Sequence, residues 1–96
     1  MKKYNSIQNI RDEIDKIDLK IIDLISERKD LVDEVVKLKQ RDQIVDQQRI
    51  DFILDKLNGE AKKRGIPEKL VEEIWNIMIK TFIEYEKKIY DSVHKK

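Results

Sequence analysis

An apolar repeat with a cation set inside it constrains this chain more than any other feature. Ile7, Ile10, Ile14, Ile17, Ile21 and Leu24 step by three and four residues. The next seam position is Arg28, and the seam resumes at Leu31, Val35 and Leu38. This spacing predicts one long helix with a narrow buried seam. An arginine in such a seam is costly unless an anion meets its guanidinium. Nothing nearby in sequence obviously supplies that anion, which points to an anionic ligand held between helices.

The long helix is expected from about Ser6 to about Gln40, with Ser6 as N-cap and Asn5 as the alternative. At ~1.5 Å per residue it would be roughly 50 Å long, several times a typical globular helix. The remainder of a 96-residue chain cannot cover such a rod in a monomer. A homodimer is therefore expected, with two long helices packed together and the shorter ones folded back on them. The segment Arg41-Asp42-Gln43-Ile44-Val45 is mostly polar and without helical period, and reads as a loop. Asp46 can cap a second helix to about Arg64, with Ile50, Ile53, Leu54, Leu57 and Ala61 on one face. Gly65 suits the C-terminal stop, and Pro67 the first turn of a third helix to about Val93. Its inner face would carry Leu70, Ile74, Met78, Phe82, Ile89 and Val93, with Trp75, Tyr85 and Tyr90 beside them. The fold class is thus all-α: three helices, one very long, in a single domain over residues 1–96.

Composition narrows the function. Charged residues are 43% of the chain, yet the net charge is +1 and the two signs are interspersed, so no field points to nucleic acid or an anionic membrane. Cysteine is absent, which excludes disulfides and thiol chemistry. No signal-peptide run follows Met1 and no segment is apolar enough to span a bilayer, so a cytoplasmic protein is expected. No Gly-rich phosphate loop, nucleophile–base pair or metal-ligand spacing occurs, and neither cofactor nor metal is expected.

Three cations on the first helix can be related by helical geometry. Arg28 and Lys39 are eleven residues apart, which puts them on one face within ~20° and ~16 Å apart along the axis. Together they could bracket a small anion. Arg11 lies seventeen residues before Arg28, ~25 Å away and ~100° around the helix. It cannot serve the same small site within one chain, but in a dimer it could serve the partner's. Each residue also has a plainer reading. Taken alone, Arg28 is better read as snorkelling from the seam into water. Lys39 suits a helix C-terminus, and Arg11 an ordinary surface. Glu86 follows Phe82 by four and precedes Ile89 by three, so it lies on the apolar face of the third helix. An ion pair with Arg28 or Lys39 is the simplest account, and a protonated acid donating to a ligand is the sharper one. His94, the only histidine, sits in a basic tail and reads as a disordered surface residue.

The placement of these residues resembles the all-α class of chorismate mutases. Ile10-Arg11-Asp12-Glu13-Ile14-Asp15-Lys16-Ile17-Asp18 is similar to that family's opening helix. Glu27-Arg28-Lys29, Val35-Val36-Lys37-Leu38-Lys39, and Val45-Asp46 with Arg49 match its further signatures. Ile74-Trp75 through Glu86 resembles its third helix, so the likeness runs from about residue 7 to about 90. The resemblance implies an intertwined three-helix homodimer that rearranges chorismate to prephenate without a cofactor. It implies that Arg28 binds one carboxylate of this small dicarboxylate and that Arg11 of the other subunit binds the second. Lys39 would contact carboxylate and ether oxygen, while Asp46 and Arg49 shape the second-helix wall. Glu86 falls where many members carry glutamine directed at the ether oxygen. An ionised carboxylate there would repel the developing charge, so activity is expected to fall as pH rises.

Two departures bear on the substrate. Ile50 stands where most mutases place a glutamate for the ring hydroxyl, and Phe82 replaces a small polar residue. Both are similar to the isochorismate-pyruvate lyases, as is Leu70-Val71-Glu72-Glu73-Ile74-Trp75. Those relatives share the fold and form salicylate and pyruvate from isochorismate. A 4-amino substrate is a third option. A different class of reading is a non-enzymatic dimerisation module, for which the heptad is only a seam. Replacing Arg28 by leucine separates the classes. A module should gain stability, since desolvation of a buried cation often outweighs its pairing. An enzyme should lose ligand binding, read as loss of the thermal-midpoint rise produced by a dicarboxylate ring analogue.

Overall fold

The computed structural model describes residues 4–95 of the chain. It contains α1 (Ile7–Leu38), a 3-10 turn (Arg41–Gln43), α2 (Gln47–Arg64) and α3 (Glu68–Val93), with no strand among the described residues. None of these helices is long and apolar enough to cross a membrane. The chain divides into two compact units, Met1–Leu31 and Val32–Lys96.

In the first unit α1 starts where the sequence places it. The Asn9 amide donates to Ser6 Oγ at 3.1 Å, and the Ile10 amide to the Ser6 carbonyl at 3.3 Å. Ser6 thus satisfies donors that the first turn leaves unpaired. Side-chain pairs one turn apart line the polar face: Gln8 donates to Asp12 at 2.8 Å, and Lys16 meets Glu13 at 3.4 Å. The apolar seam is not buried within the chain. Ile7, Ile10, Ile14, Ile17, Ile21 and Leu24 are all exposed, as are Leu31, Val35 and Leu38 further on. Arg28 is half-buried.

The second unit holds the small core. Val36, Ile44 and Ala61 are buried, and α2 packs on α3. Ile50, Ile53, Leu54 and Leu57 are half-buried, so the expected apolar face of α2 is the one that faces inward. The third helix follows its pattern in part. Met78, Phe82, Ile89 and Val93 are half-buried, but Leu70 and Ile74 are exposed. Pro67 is the N-cap of α3 rather than its first residue.

The link between α1 and α2 is more ordered than its composition suggests. Residues 41–43 form a 3-10 turn, closed by the Gln43 amide on the Gln40 carbonyl at 2.9 Å. The Gln40 amide donates in return to Gln43 Oε1 at 2.7 Å. Ile44, read from the sequence as part of a polar loop, is 3% exposed. A single apolar residue carries no period, so pattern alone could not assign it to the core.

Both ends of α2 have local causes. Asp46 Oδ1 accepts the Arg49 amide at 3.1 Å, the expected N-cap. Gly65 ends the helix at φ 67°, and the Ile66 amide donates to the Ala61 carbonyl at 3.0 Å. In the last turn Glu60 accepts from Arg64 at 3.0 Å and lies 3.5 Å from Lys63. The Arg64 hydrogen bond, followed by the Lys63 charge, holds the Glu60 carboxyl below its ordinary range. A depressed folded-state value means that any small stability it adds is present at neutral pH and fades on acidification.

Two substitutions test these caps. Gly65→Ala meets no atom within 4 Å of the new Cβ, so its cost is conformational alone. It should destabilise by about 1 kcal/mol, the cost of the left-handed region for an L-residue. Asp46→Ala should cost about 1 kcal/mol through the lost cap. Denaturant unfolding at one fixed protein concentration measures both, and no change in either midpoint would refute the assignment.

Candidate active site

The site is built around an acid on the inner face of α3. Glu86 is 6% exposed, and a carboxyl buried to that degree needs a partner. Lys39 supplies it: Nζ lies 3.0 Å from Glu86 Oε1. The sequence left Arg28 and Lys39 as alternatives for this pairing, and the fold pairs Lys39. The ion pair, the simpler of the two sequence readings, is what the unit contains.

Lys39 is the first residue beyond α1. Its amide still donates to the carbonyls of Val35 at 3.2 Å and Val36 at 3.3 Å, so the helix fixes its backbone. Its side chain is 24% exposed, reaching a carboxylate behind it while staying open to solvent. An open cleft of about 440 Å³ lies against it, lined also by Asp42, Gln43, Val45, Asp46, Gln47 and Gln48. Lys39 and Asp46 therefore line one cleft. The three glutamines at this wall were not singled out in the sequence; their clustering around Asp46 was the signal available.

The other residues of this unit are placed as follows. Arg49 is exposed and lies over the Phe52 ring, 5.4 Å from its centroid. Lys56 approaches the same ring at 5.8 Å. Neither Arg49 nor Ile50 lines the cleft; Ile50 is half-buried on the inner face of α2. Phe82 is half-buried one turn before Glu86, its ring edge-on to Tyr85 at 6.2 Å. Tyr85 in turn donates to Asp33 Oδ1 at 2.5 Å, tying α3 to the last turns of α1. In the first unit, Arg11 is exposed and Arg28 half-buried.

His94 is exposed, as the sequence reading expected, but it is tied to the rest of the unit. Its Nε2 lies 2.8 Å from the Val36 carbonyl, and its ring stacks on Tyr90 at 4.0 Å. It is an ordered part of the unit, because the end of α1 offers a carbonyl within reach of its ring. Tyr90 donates to the Lys39 carbonyl at 3.2 Å. Arg41 lies over the Tyr90 ring at 4.7 Å and pairs with Asp91.

Chemically, the site offers an ammonium for an anion and a carboxyl in contact with it. The described residues contain no group of three or more His, Cys, Asp or Glu arranged to hold a metal.

Comparison with known proteins fits this arrangement. The family model for chorismate mutase type II matches residues 10–87. A bifunctional chorismate mutase/prephenate dehydratase of Buchnera aphidicola subsp. Acyrthosiphon pisum is 32% identical over 91 residues, covering 93% of this chain and 24% of the relative. The chain thus spans about a quarter of that protein. A chorismate mutase of Methanocaldococcus jannaschii is 33% identical over 75 residues, covering 76% of each chain. No solved structure matches significantly. With its model matched from Ile10 to Lys87, the chain belongs to the chorismate mutase type II family.

Proposed function

We propose that this protein is a chorismate mutase, acting as a cytoplasmic homodimer in aromatic amino acid biosynthesis. The observation that carries the reading is the Lys39–Glu86 pair beside an open cleft in a chain of this family. In the rearrangement the ether C–O bond of chorismate breaks as a new C–C bond forms, so atoms are conserved and no co-reactant is required. The ether oxygen gains negative charge in the transition state. A cation fixed beside it lowers the barrier because it needs no reorganisation as the charge develops.

Lys39 is the catalytic cation in this reading. Arg28 binds one substrate carboxylate, and Arg11 of the second subunit binds the other. Holding both carboxylates confines the substrate to its compact reactive conformer, which is catalysis by positioning. The exposed isoleucine seam of α1 supports a dimer, since a second copy would remove that surface from water. Glu86 assists only when protonated, as a hydrogen-bond donor to the ether oxygen. In ionised form it competes with the substrate for Lys39. Asp46 shapes the α2 wall of the cleft, while Arg49, which the resemblance placed there too, lies outside it over Phe52.

Ile50 and Phe82 support a second reading, an isochorismate-pyruvate lyase. Both are half-buried and apolar, so neither accepts a ring hydroxyl. Purified protein should be given chorismate and isochorismate separately, with products separated by chromatography. Prephenate as the faster product is expected. Faster formation of salicylate and pyruvate would overturn the mutase reading in favour of the lyase, and no product from either would remove both.

Lys39→Ala should lower kcat/KM about 10²-fold or more, with helix content unchanged by circular dichroism. Glu86→Gln, a neutral hydrogen-bond donor that no longer holds Lys39 by charge, should keep or raise kcat/KM; a fall of about 10²-fold would exclude the role. Mixing tests the crossed arginine. Arg11→Ala and Lys39→Ala dimers should each be nearly inactive. Unfolded and refolded together, they should recover about a quarter of wild-type activity, since half of randomly assorted dimers are mixed and each has one intact site. No recovery would mean that Arg11 serves its own chain.

A further inference from the structure

We propose that Tyr90 and His94 are positioning residues that hold the end of α1 and thereby set where the Lys39 ammonium lies. The proposal deepens the reading of Lys39 as the catalytic cation, and rests on it for its kinetic consequence alone.

Glu86, Tyr90 and His94 are spaced by four residues, so they rise along one face of α3 a turn at a time. Each meets the α1 terminus at a different level. Glu86 takes the Lys39 Nζ at 3.0 Å. The Tyr90 hydroxyl donates to the Lys39 carbonyl at 3.2 Å. His94 Nε2 reaches the Val36 carbonyl at 2.8 Å. A carbonyl can only accept, so the hydrogen must lie on Nε2. The head of Lys39, its own backbone and the preceding turn are therefore gripped from one helix face.

The contacts matter because this is where α1 stops. The last carbonyls of a helix have no partner in the following turn. At a solvent-exposed end water would satisfy them, and the terminal turn could fray at little cost. Here Tyr90 binds the carbonyl of Lys39, just beyond the helix, and His94 joins the Lys39 amide on the Val36 carbonyl, both side chains coming from more than fifty residues away. The two side chains also brace each other, their rings stacked at 4.0 Å with 23° between planes. Arg41, from the turn that follows Lys39, covers the Tyr90 ring at 4.7 Å and pairs with Asp91. The chain on both sides of Lys39 is thus anchored to the last turns of α3. Val36, whose carbonyl His94 takes, is itself fully buried, which leaves that turn no room to shift.

A long flexible lysine delivers charge to one point only if its Cα is fixed. Releasing the Lys39 carbonyl would let the ammonium wander from Glu86, and a misplacement of ~1 Å at a reacting centre can cost about 10²-fold in rate.

The test compares Tyr90→Phe, His94→Leu and His94→Gln with the wild-type chain. Tyr90→Phe removes the hydroxyl and keeps the stacked ring. His94→Leu removes the donor, while His94→Gln restores an amide N–H. The primary readout is the acetylation rate of each lysine under limiting acetic anhydride, measured by mass spectrometry well below the thermal midpoint of each variant. Lys39 should label about tenfold faster in Tyr90→Phe and His94→Leu, with other lysines unchanged and His94→Gln close to wild type. In the same variants kcat for chorismate should fall about tenfold with little change in KM, because the arginines still bind the carboxylates. Unchanged Lys39 labelling in both disrupting variants would overturn the proposal, as would equal acceleration at every lysine, the mark of general loosening. Labelling needs no turnover, so a protein inactive on chorismate would refute the functional reading while the grip on Lys39 is still decided.

Discussion

A carboxyl buried on an apolar helix face cannot stand alone, and the second unit of this protein is arranged around that fact. Glu86 is almost withdrawn from water, and the partner it takes is the first residue beyond α1. To reach it, α1 must end beside α3, and the chain must leave α1 without carrying Lys39 away. The 3-10 turn at 41–43 and the buried Ile44 accomplish that departure within a few residues. They also bring Asp46 and its neighbours to the cleft that Lys39 borders. The ion pair, the turn and the cleft are therefore consequences of one placement.

The same pair sets the terms for chemistry. An ammonium bound to a carboxylate is partly neutralised, and an anion that binds Lys39 must compete with Glu86 or meet it protonated. This competition explains why the backbone of Lys39 would need support from Tyr90 and His94. A cation shared between a carboxylate and a ligand has two attractive positions, and a fixed Cα limits how far the head can travel between them.

Exposed isoleucines on α1 place a different demand on the protein. A regular three-four seam has no purpose on a surface that meets only water. The proposed pairing with a second copy would answer that demand and would bring in Arg11, which helical geometry separates from Arg28 by ~25 Å. The apolar start of α3, Leu70 and Ile74, raises the same demand on a smaller scale.

What the sequence determined by itself was mostly what depends on near neighbours, the 3-10 turn at 41–43 being a local feature that its pattern did not reveal. Helix limits followed from Ser6, Asp46 and Gly65, because a cap is a contact over three or four residues and its residue types are few. The inward face of α2 followed from its period. Arg28 and Glu86 were legible because a charge breaks an apolar pattern visibly, whereas Arg11 and Lys39 drew attention through the resemblance. Tertiary structure alone decided which cation Glu86 takes, that Ile44 joins the core, and that His94 is ordered against Val36. Each of these contacts links segments about forty to sixty residues apart or buries a residue with no period around it. Such choices depend on how α1, the turn and α3 pack together, and no local spacing encodes that packing.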